Sequence, residues 1–264
     1  MRKRLLCPIL PLPGQRVLLP ENEGNHAQRV LRLRSGEEVE ALDGKGHHIV
    51  GRLQMSDLGV HLEYVSLIQD DDRKRGGLAV VPVVLEMAIL KGEAMEWVVE
   101  KATELGVRSL TPVVTDHTVI QIKNKGPEFF QERWQKIADQ ALKQCGRLQG
   151  LKVGVPLALT DLLKTRLNST QSGRVWCDEQ KAQGGSSSLA EWILKNPLSP
   201  THEVRILIGP EGGWSQNERA LLEKLSSESG QDAIPLSLGP LVLRAETAAL
   251  VTMSLISSFM RART

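Results

Sequence analysis

At 264 residues the chain is long enough for one large or two small domains with a sizeable core. Its net charge of +2 announces no polyanion-binding protein, so any nucleic-acid footprint has to come from local clusters of Lys and Arg. Its three cysteines, Cys7, Cys145 and Cys177, are scattered without metal-ligand spacing, which excludes a disulfide scaffold, suits free thiols in a reducing compartment and leaves no metal site expected.

The apolar stretch after Arg2, Lys3 and Arg4 is short and broken by prolines, so no signal peptide is expected. No segment approaches the run of about eighteen apolar residues that a membrane span needs, and the cytoplasm is the expected compartment. Strand-like runs then alternate with turn signals at residues 16–19, 38–42, 49–55 and 60–68, with Asp43, Gly44, Lys45 and Gly46 as a tight turn. That spacing predicts a small β-barrel. An amphipathic segment, residues 25–33, interrupts it; Val30, Leu31 and Leu33 are placed to face a core while Arg29, Arg32 and Arg34 stay in solvent.

Residues 70–77 contain no apolar side chain and end in Gly76 and Gly77, which marks a linker and divides the chain into domains 1–72 and 73–264. Beyond it, strands and helices alternate: strand 78–85, helix 93–105, strand 109–114, helix 127–145, a strand at Val153, helix 161–167, a strand at Val175 and helix 189–195. This α/β order predicts a mostly parallel sheet covered on both faces, which by the general rule is threaded without a knot.

Two strand-to-helix units follow and carry the chemistry. In the first, residues 204–208 read as a buried strand because branched aliphatics run without alternation. Gly209, Gly212 and Gly213 then let the backbone turn and approach a ligand closely. Ser215 and Glu218 form a capping-box pattern for the next helix. The second unit runs from residues 234–238 through Gly239 and Pro240 to Arg244 and Glu246, which open the apolar helix 248–260. Alone, the first loop is equally well a plain connection, and Arg244 with Glu246 an ion pair at a helix start. The repetition of the unit favours a ligand pocket. His26 reads as a structural histidine, Glu96 and Glu100 as part of an exposed charged stripe, and Trp97 and Trp134 as core residues.

The segments Gly209-Pro210-Glu211-Gly212-Gly213 and Leu238-Gly239-Pro240, with Leu243, Arg244, Glu246 and Thr247, resemble the two C-terminal signatures of the SPOUT methyltransferases. The likeness is specifically to the bacterial family that methylates N3 of a uridine in small-subunit (16S) ribosomal RNA. Residues 91–107, residues 132–138 with Gln144, Cys145, Gly146 and Arg147, and residues 26–34 with Asp43 and Gly44 match the same family in order. One position departs: Leu241 stands where the family usually carries a second Arg.

The resemblance implies a trefoil-knotted, mostly parallel sheet behind a PUA-like barrel, S-adenosylmethionine as cofactor, and a homodimer acting on ribosomal RNA, naked or in an assembled small subunit. It places the cofactor against Ile208, Gly209, Pro210, Glu211, Gly212, Gly213, Leu238, Gly239, Pro240, Leu243 and Thr247. Arg244 becomes the cation facing charge that develops on the uracil oxygens. Two roles are open to Glu246, base or orienter of Arg244. Arg2, Arg4, Arg29, Arg32, Arg34, Lys91 and Arg147 are the expected RNA contacts. The alternatives are another SPOUT activity, ribose 2′-O methylation, and a ribosome-assembly RNA-binding protein without turnover.

Overall fold

A computed structural model describes residues 2–68, 81–120, 122–164, 172–178, 188–196, 203–229 and 233–261. Two compact units are present, Met1–Leu78 together with Asp139–Gly150, and Ala79–Ala138 together with Leu151–Thr264. The inclusion of residues 139–150 in the first unit departs from a single cut near residue 72. The linker expected at residues 70–77 lies outside the described residues.

The first unit is built from β1 (Arg4–Leu6), β2 (Arg16–Leu18), α1 (Glu21–Asn25), β3 (Glu38–Leu42), β4 (His48–Ser56) and β5 (Gly59–Leu67). The sheet order is β1-β3-β4-β5-β2, antiparallel except where β1 runs parallel to β3. Leu5, Ala27, Val39, Ala41, Leu53 and Leu62 form its core. Strand β1 escapes the sequence reading because prolines crowd the residues after it.

The segment expected as an amphipathic helix over 25–33 takes another form. Helix α1 begins earlier and passes into a wider π turn over His26–Val30, with the Leu31 N–H donating to the His26 carbonyl at 3.0 Å. A wide turn shifts the helical phase. Val30 is left 66% exposed, and only Leu31 and Leu33 reach the core. What anchors the start of α1 is buried Glu23, which accepts the Leu6 N–H at 2.9 Å and the Lys143 ammonium at 2.5 Å.

The second unit contains β6 (Val81–Ala88), α2 (Glu93–Glu104), β7 (Val107–Val114), most of α3 (Pro127–Cys145), β8 (Lys152–Val153), β9 (Leu157–Ala158), α4 (Leu159–Lys164), β10 (Ser172–Cys177), α5 (Leu189–Lys195), β11 (Glu203–Ile208), α6 (Gln216–Ser229), β12 (Ile234–Leu236) and α7 (Ala245–Arg261). Its parallel sheet has the order β12-β10-β11-β6-β7-β8, with β9 also on β7. This is the mostly parallel α/β sheet of the sequence reading. Alternate side chains enter opposite layers, as a sheet covered twice requires: Leu85, Met87 and Ile206 join the α2, α5 and α7 layer, while Trp176 and Leu207 join the α4 and α6 layer. Trp134 is core, whereas Trp97 is 38% exposed. Among the described residues no helix is long and apolar enough to cross a membrane.

One charged group sits at the centre of this sheet. Glu86 of β6 is fully buried and accepts two hydrogen bonds from Arg174 of β10, at 2.7 and 3.1 Å, and one from Arg205 of β11 at 3.2 Å. Glu203 holds Arg205 at 2.7 Å and Arg108 at 3.6 Å, carrying the network outward. Removing one member of a buried ion pair strands its partner, at a typical cost of about 3–5 kcal/mol. Glu86→Ala is therefore expected to lower the unfolding free energy by about that amount in denaturant titration; a loss below about 1 kcal/mol, the scale of a surface pair, would show that the guanidiniums find other partners.

Candidate active site

In a parallel sheet, the loops after the strands converge at one edge, and ligands bind in the crevice there. The end of β10 at Cys177 and Asp178, the loops after β11 and β12, α2 and the start of α7 enclose a cavity of about 600 Å³. Ile208, Gly209, Pro210, Glu211, Gly212, Gly213, Leu238, Gly239, Leu243, Arg244 and Glu246 all line it. Pro240 and Thr247 do not. The structure adds Ala94, Cys177, Asp178 and Trp214 to the wall, none of which the sequence reading selected. Trp214 adjoins the glycine motif and was within reach. Asp178 becomes visible only once β10 is known to sit beside β11.

The glycine loop after β11 is tied to its neighbours by the acids of its own motif. Glu211 accepts the Lys91 N–H at 3.0 Å, holding the turn that precedes α2. Ser215 and Glu218 make the expected capping box, Oγ accepting the Glu218 N–H at 3.2 Å and the Glu218 carboxylate accepting the Ser215 N–H at 2.9 Å. Glu218 also accepts the Asp116 N–H from the loop after β7, at 2.9 Å. The Trp214 indole N–H donates to the Cys177 carbonyl at 2.9 Å, and its ring meets Trp176 edge-on.

Gly212 has a reason the sequence did not show. A Cβ at this position would stand 3.1 Å from the Cβ of His117 and 3.3 Å from its ring, so the close approach is made by a protein side chain. Gly213 beside it takes φ +69°, in the left-handed region.

The charged residues separate by environment. Arg244 is exposed and Glu246 half-buried in the first turn of α7, and no hydrogen bond or ion pair joins them among the described residues. Asp178 pairs with Arg219 of α6. Burial pushes the Cys177 thiol up to about 12, so it stays protonated and offers no thiolate nucleophile at neutral pH.

In the first unit, Arg29, Arg32 and Arg34 are exposed and have no ion-pair partner among the described residues. Arg32 holds φ 53°, the one non-glycine residue described with positive φ. Arg2 pairs with Glu38 at 3.1 Å on the surface. Arg4 is committed elsewhere: its guanidinium caps α3 through the Lys143 and Gln144 carbonyls at 3.1 and 3.0 Å, and its Nε donates to Glu40. A side chain at Gly146 would collide with it. Arg147 is half-buried, and burial lowers its guanidinium to about 10. In the second unit, Lys91 is exposed.

A family model described as an RNA methyltransferase domain matches residues 78–257, and one described as an RNA methyltransferase PUA domain matches residues 19–62. Ribosomal RNA small subunit methyltransferase E of Synechocystis is 30% identical over 258 residues, covering 92% of this chain and 73% of that protein. The Bacillus subtilis protein of the same name is 28% identical, covering 89% and 87%. A Legionella pneumophila methyltransferase structure with bound SAM aligns with TM-score 0.80 and 28% identity over 98% of both chains. Fold, cavity and matches define a SPOUT RNA methyltransferase carrying a PUA domain. Within that class the chain belongs to the family of the ribosomal RNA small subunit methyltransferases E.

The fit of His117 against Gly212 is testable without any ligand. Gly212→Val is expected to destabilise the protein by about 1–3 kcal/mol through overpacking. His117→Ala empties the space the valine needs, so the double variant should be less destabilised than the sum of the two single variants in denaturant titration. Strict additivity would show that the two residues do not touch.

Proposed function

We propose that this chain transfers a methyl group from S-adenosylmethionine to N3 of a uridine in small-subunit (16S) ribosomal RNA. The observation that carries the reading is the cavity itself. It is walled by two strand–glycine loops and bordered by Arg244 and Glu246, in a chain of this family. Its volume of about 600 Å³ falls within the range of about 300–1,000 Å³ usual for small-molecule sites.

The wall suits this cofactor. Ile208, Leu236, Leu238 and Leu243 offer apolar surface to an adenine ring, and the glycine loop offers main-chain groups to its polar edges. No described residue accepts a hydrogen bond from the Gly212 N–H, which leaves it for a ligand. When bound, the cofactor supplies an electrophilic methyl group on a sulfonium. The protein's part is to prepare the uridine. The N3 imide must give up its proton, leaving the N–H electron pair on N3 as the nucleophile, and Glu246, half-buried at the cavity wall, is the base that takes it. Arg244 faces the charge that then gathers on the uracil oxygens. The separation of these two side chains, with no hydrogen bond between them, favours the base over the orienting role for Glu246.

RNA docks on the first domain, residues 1–72, through Arg29, Arg32 and Arg34, with Arg2 and, from domain 73–264, Lys91 contributing; Arg4 and Arg147 support the fold of the first unit instead. The substrate uridine is presented unpaired or flipped, because pairing hides N3. The enzyme acts in the cytoplasm as a homodimer, on naked RNA or an assembled small subunit. Leu241 and Val242, 74% and 75% exposed beside the cavity, supply apolar surface that a second copy would cover.

Nucleoside mass spectrometry of small-subunit RNA from cells lacking the gene tests the reading. Loss of 3-methyluridine, restored by the gene, is expected; loss of a 2′-O-methylated nucleoside instead would overturn it. Arg244→Ala should lower kcat by about 10²- to 10³-fold, the scale of deleting one preorganised donor, with cofactor affinity little changed. Glu246→Gln should lose activity at neutral pH and regain part of it at high pH, where the imide ionises unaided. A Glu246→Gln enzyme with no alkaline recovery would return the residue to an orienting role. Reversing Arg29 and Arg32 to Glu should weaken RNA binding and shrink its salt slope by about one unit for each phosphate no longer neutralised. S-adenosylmethionine affinity should not move. RNA affinity and slope equal to wild type would assign these arginines to plain solvated surface.

A further inference from the structure

His117 belongs to no motif, lies outside the cavity lining and has no part in the chemistry above, yet the geometry around it is specific. It sits in the turn after β7, which is held on several sides. Thr118 Oγ1 accepts the Thr115 N–H at 2.9 Å, Glu218 accepts the Asp116 N–H at 2.9 Å, and Ser215 Oγ donates to the Asp116 carboxylate at 2.5 Å. From this fixed turn the imidazole crosses to the glycine loop, and its Nδ1 meets the Gly213 carbonyl at 2.8 Å. A carbonyl oxygen only accepts, so Nδ1 carries the proton in both the neutral and the charged ring.

The glycine loop has few means of holding itself. Gly212 and Gly213 have no side chains, and the turn is closed from within by the Gly213 N–H donating to the Pro210 carbonyl at 3.0 Å. The Gly213 carbonyl is pinned from outside by His117, whose Cβ and ring also occupy the space a side chain at position 212 would need. The other side of these two residues is cavity wall.

We propose that His117 is a positioning residue for the methyl-donor site: its Nδ1–H fixes the Gly213 carbonyl and thereby aims the Gly212 N–H into the cavity. The inference rests on the reading of that cavity as the S-adenosylmethionine site. It also divides the work of the ring by atom. The Nδ1 donor matters, whereas Nε2 has no role in holding the loop. Asparagine carries an N–H at the same position along the side chain as Nδ1, and glutamine carries one at the place of Nε2.

Titration calorimetry of S-adenosylmethionine on the full chain decides it, with His117→Ala, His117→Gln and His117→Asn compared. Alanine and glutamine should weaken binding about tenfold, the scale of one deleted hydrogen bond, and asparagine should stay within about threefold of wild type. In turnover assays the KM for S-adenosylmethionine should rise with alanine and glutamine while the KM for RNA holds. Glutamine keeps the bulk of the ring and carries the test if alanine does not fold, as thermal melting of the free proteins will show. Wild-type affinity in the alanine or glutamine variant would overturn the inference alone. So would an asparagine variant as weak as alanine, which would assign the effect to ring packing. Absence of S-adenosylmethionine binding by the wild type would overturn the reading of the cavity, and the inference with it.

Discussion

Glu86 carries a full charge at a place no water reaches, and the second unit is arranged around that fact. Two guanidiniums from two other strands converge on it, so β6, β10 and β11 are joined by charge as well as by their ladders. A slip of one residue in β6 would exchange its two faces, carrying Glu86 into the layer of α2 and α7 that Leu85 and Met87 now fill and away from both guanidiniums. Strand register is thus specified by a group whose misplacement costs several kcal/mol. The aliphatic neighbours along the strands would tolerate exchange far more readily. Two of the three, β10 and β11, run into the cavity wall, and their register sets where that wall begins.

The loops inherit this precision through polar contacts of their own. Glu211 and Glu218 lie seven positions apart in one motif, and each reaches a backbone N–H of a different neighbouring loop. The motif therefore does two things at once. Its glycines open the wall to a ligand, while its acids fasten the turns before α2 and after β7. Reading Glu211 as a ligand contact captured its place at the wall and missed its bond to Lys91.

Elements with strong local signals were legible in the sequence. Helices α3 and α5 fall on the expected residues; the Ser188–Glu191 capping box that starts α5 is a further local signal, which the sequence reading did not use. The two strand–glycine units were legible because such loops need particular residues at particular places. The π turn was hidden, since five residues of wider helix leave no compositional mark. Arg4 looked like one more member of a basic cluster because its partners, the Lys143 and Gln144 carbonyls, lie far beyond the reach of any local signal. Glu86, Asp178 and His117 share this invisibility. Each is defined by a neighbour that only the strand order brings near.

The separations in sequence carry a kinetic consequence. His117 and Gly213 are 96 positions apart, Asp116 and Glu218 102, and Lys91 and Glu211 120. Closing such long loops costs entropy before any interaction repays it, and folding slows as the mean sequence separation of touching residues grows. The cavity cannot mature by local steps: its braces close only after β6, β7 and β11 have found one another. A folding intermediate with a formed sheet and an unbraced glycine loop would resemble the finished protein in secondary structure. It would have no ordered place for a small molecule, so ligand capture would report the last event of folding rather than the first.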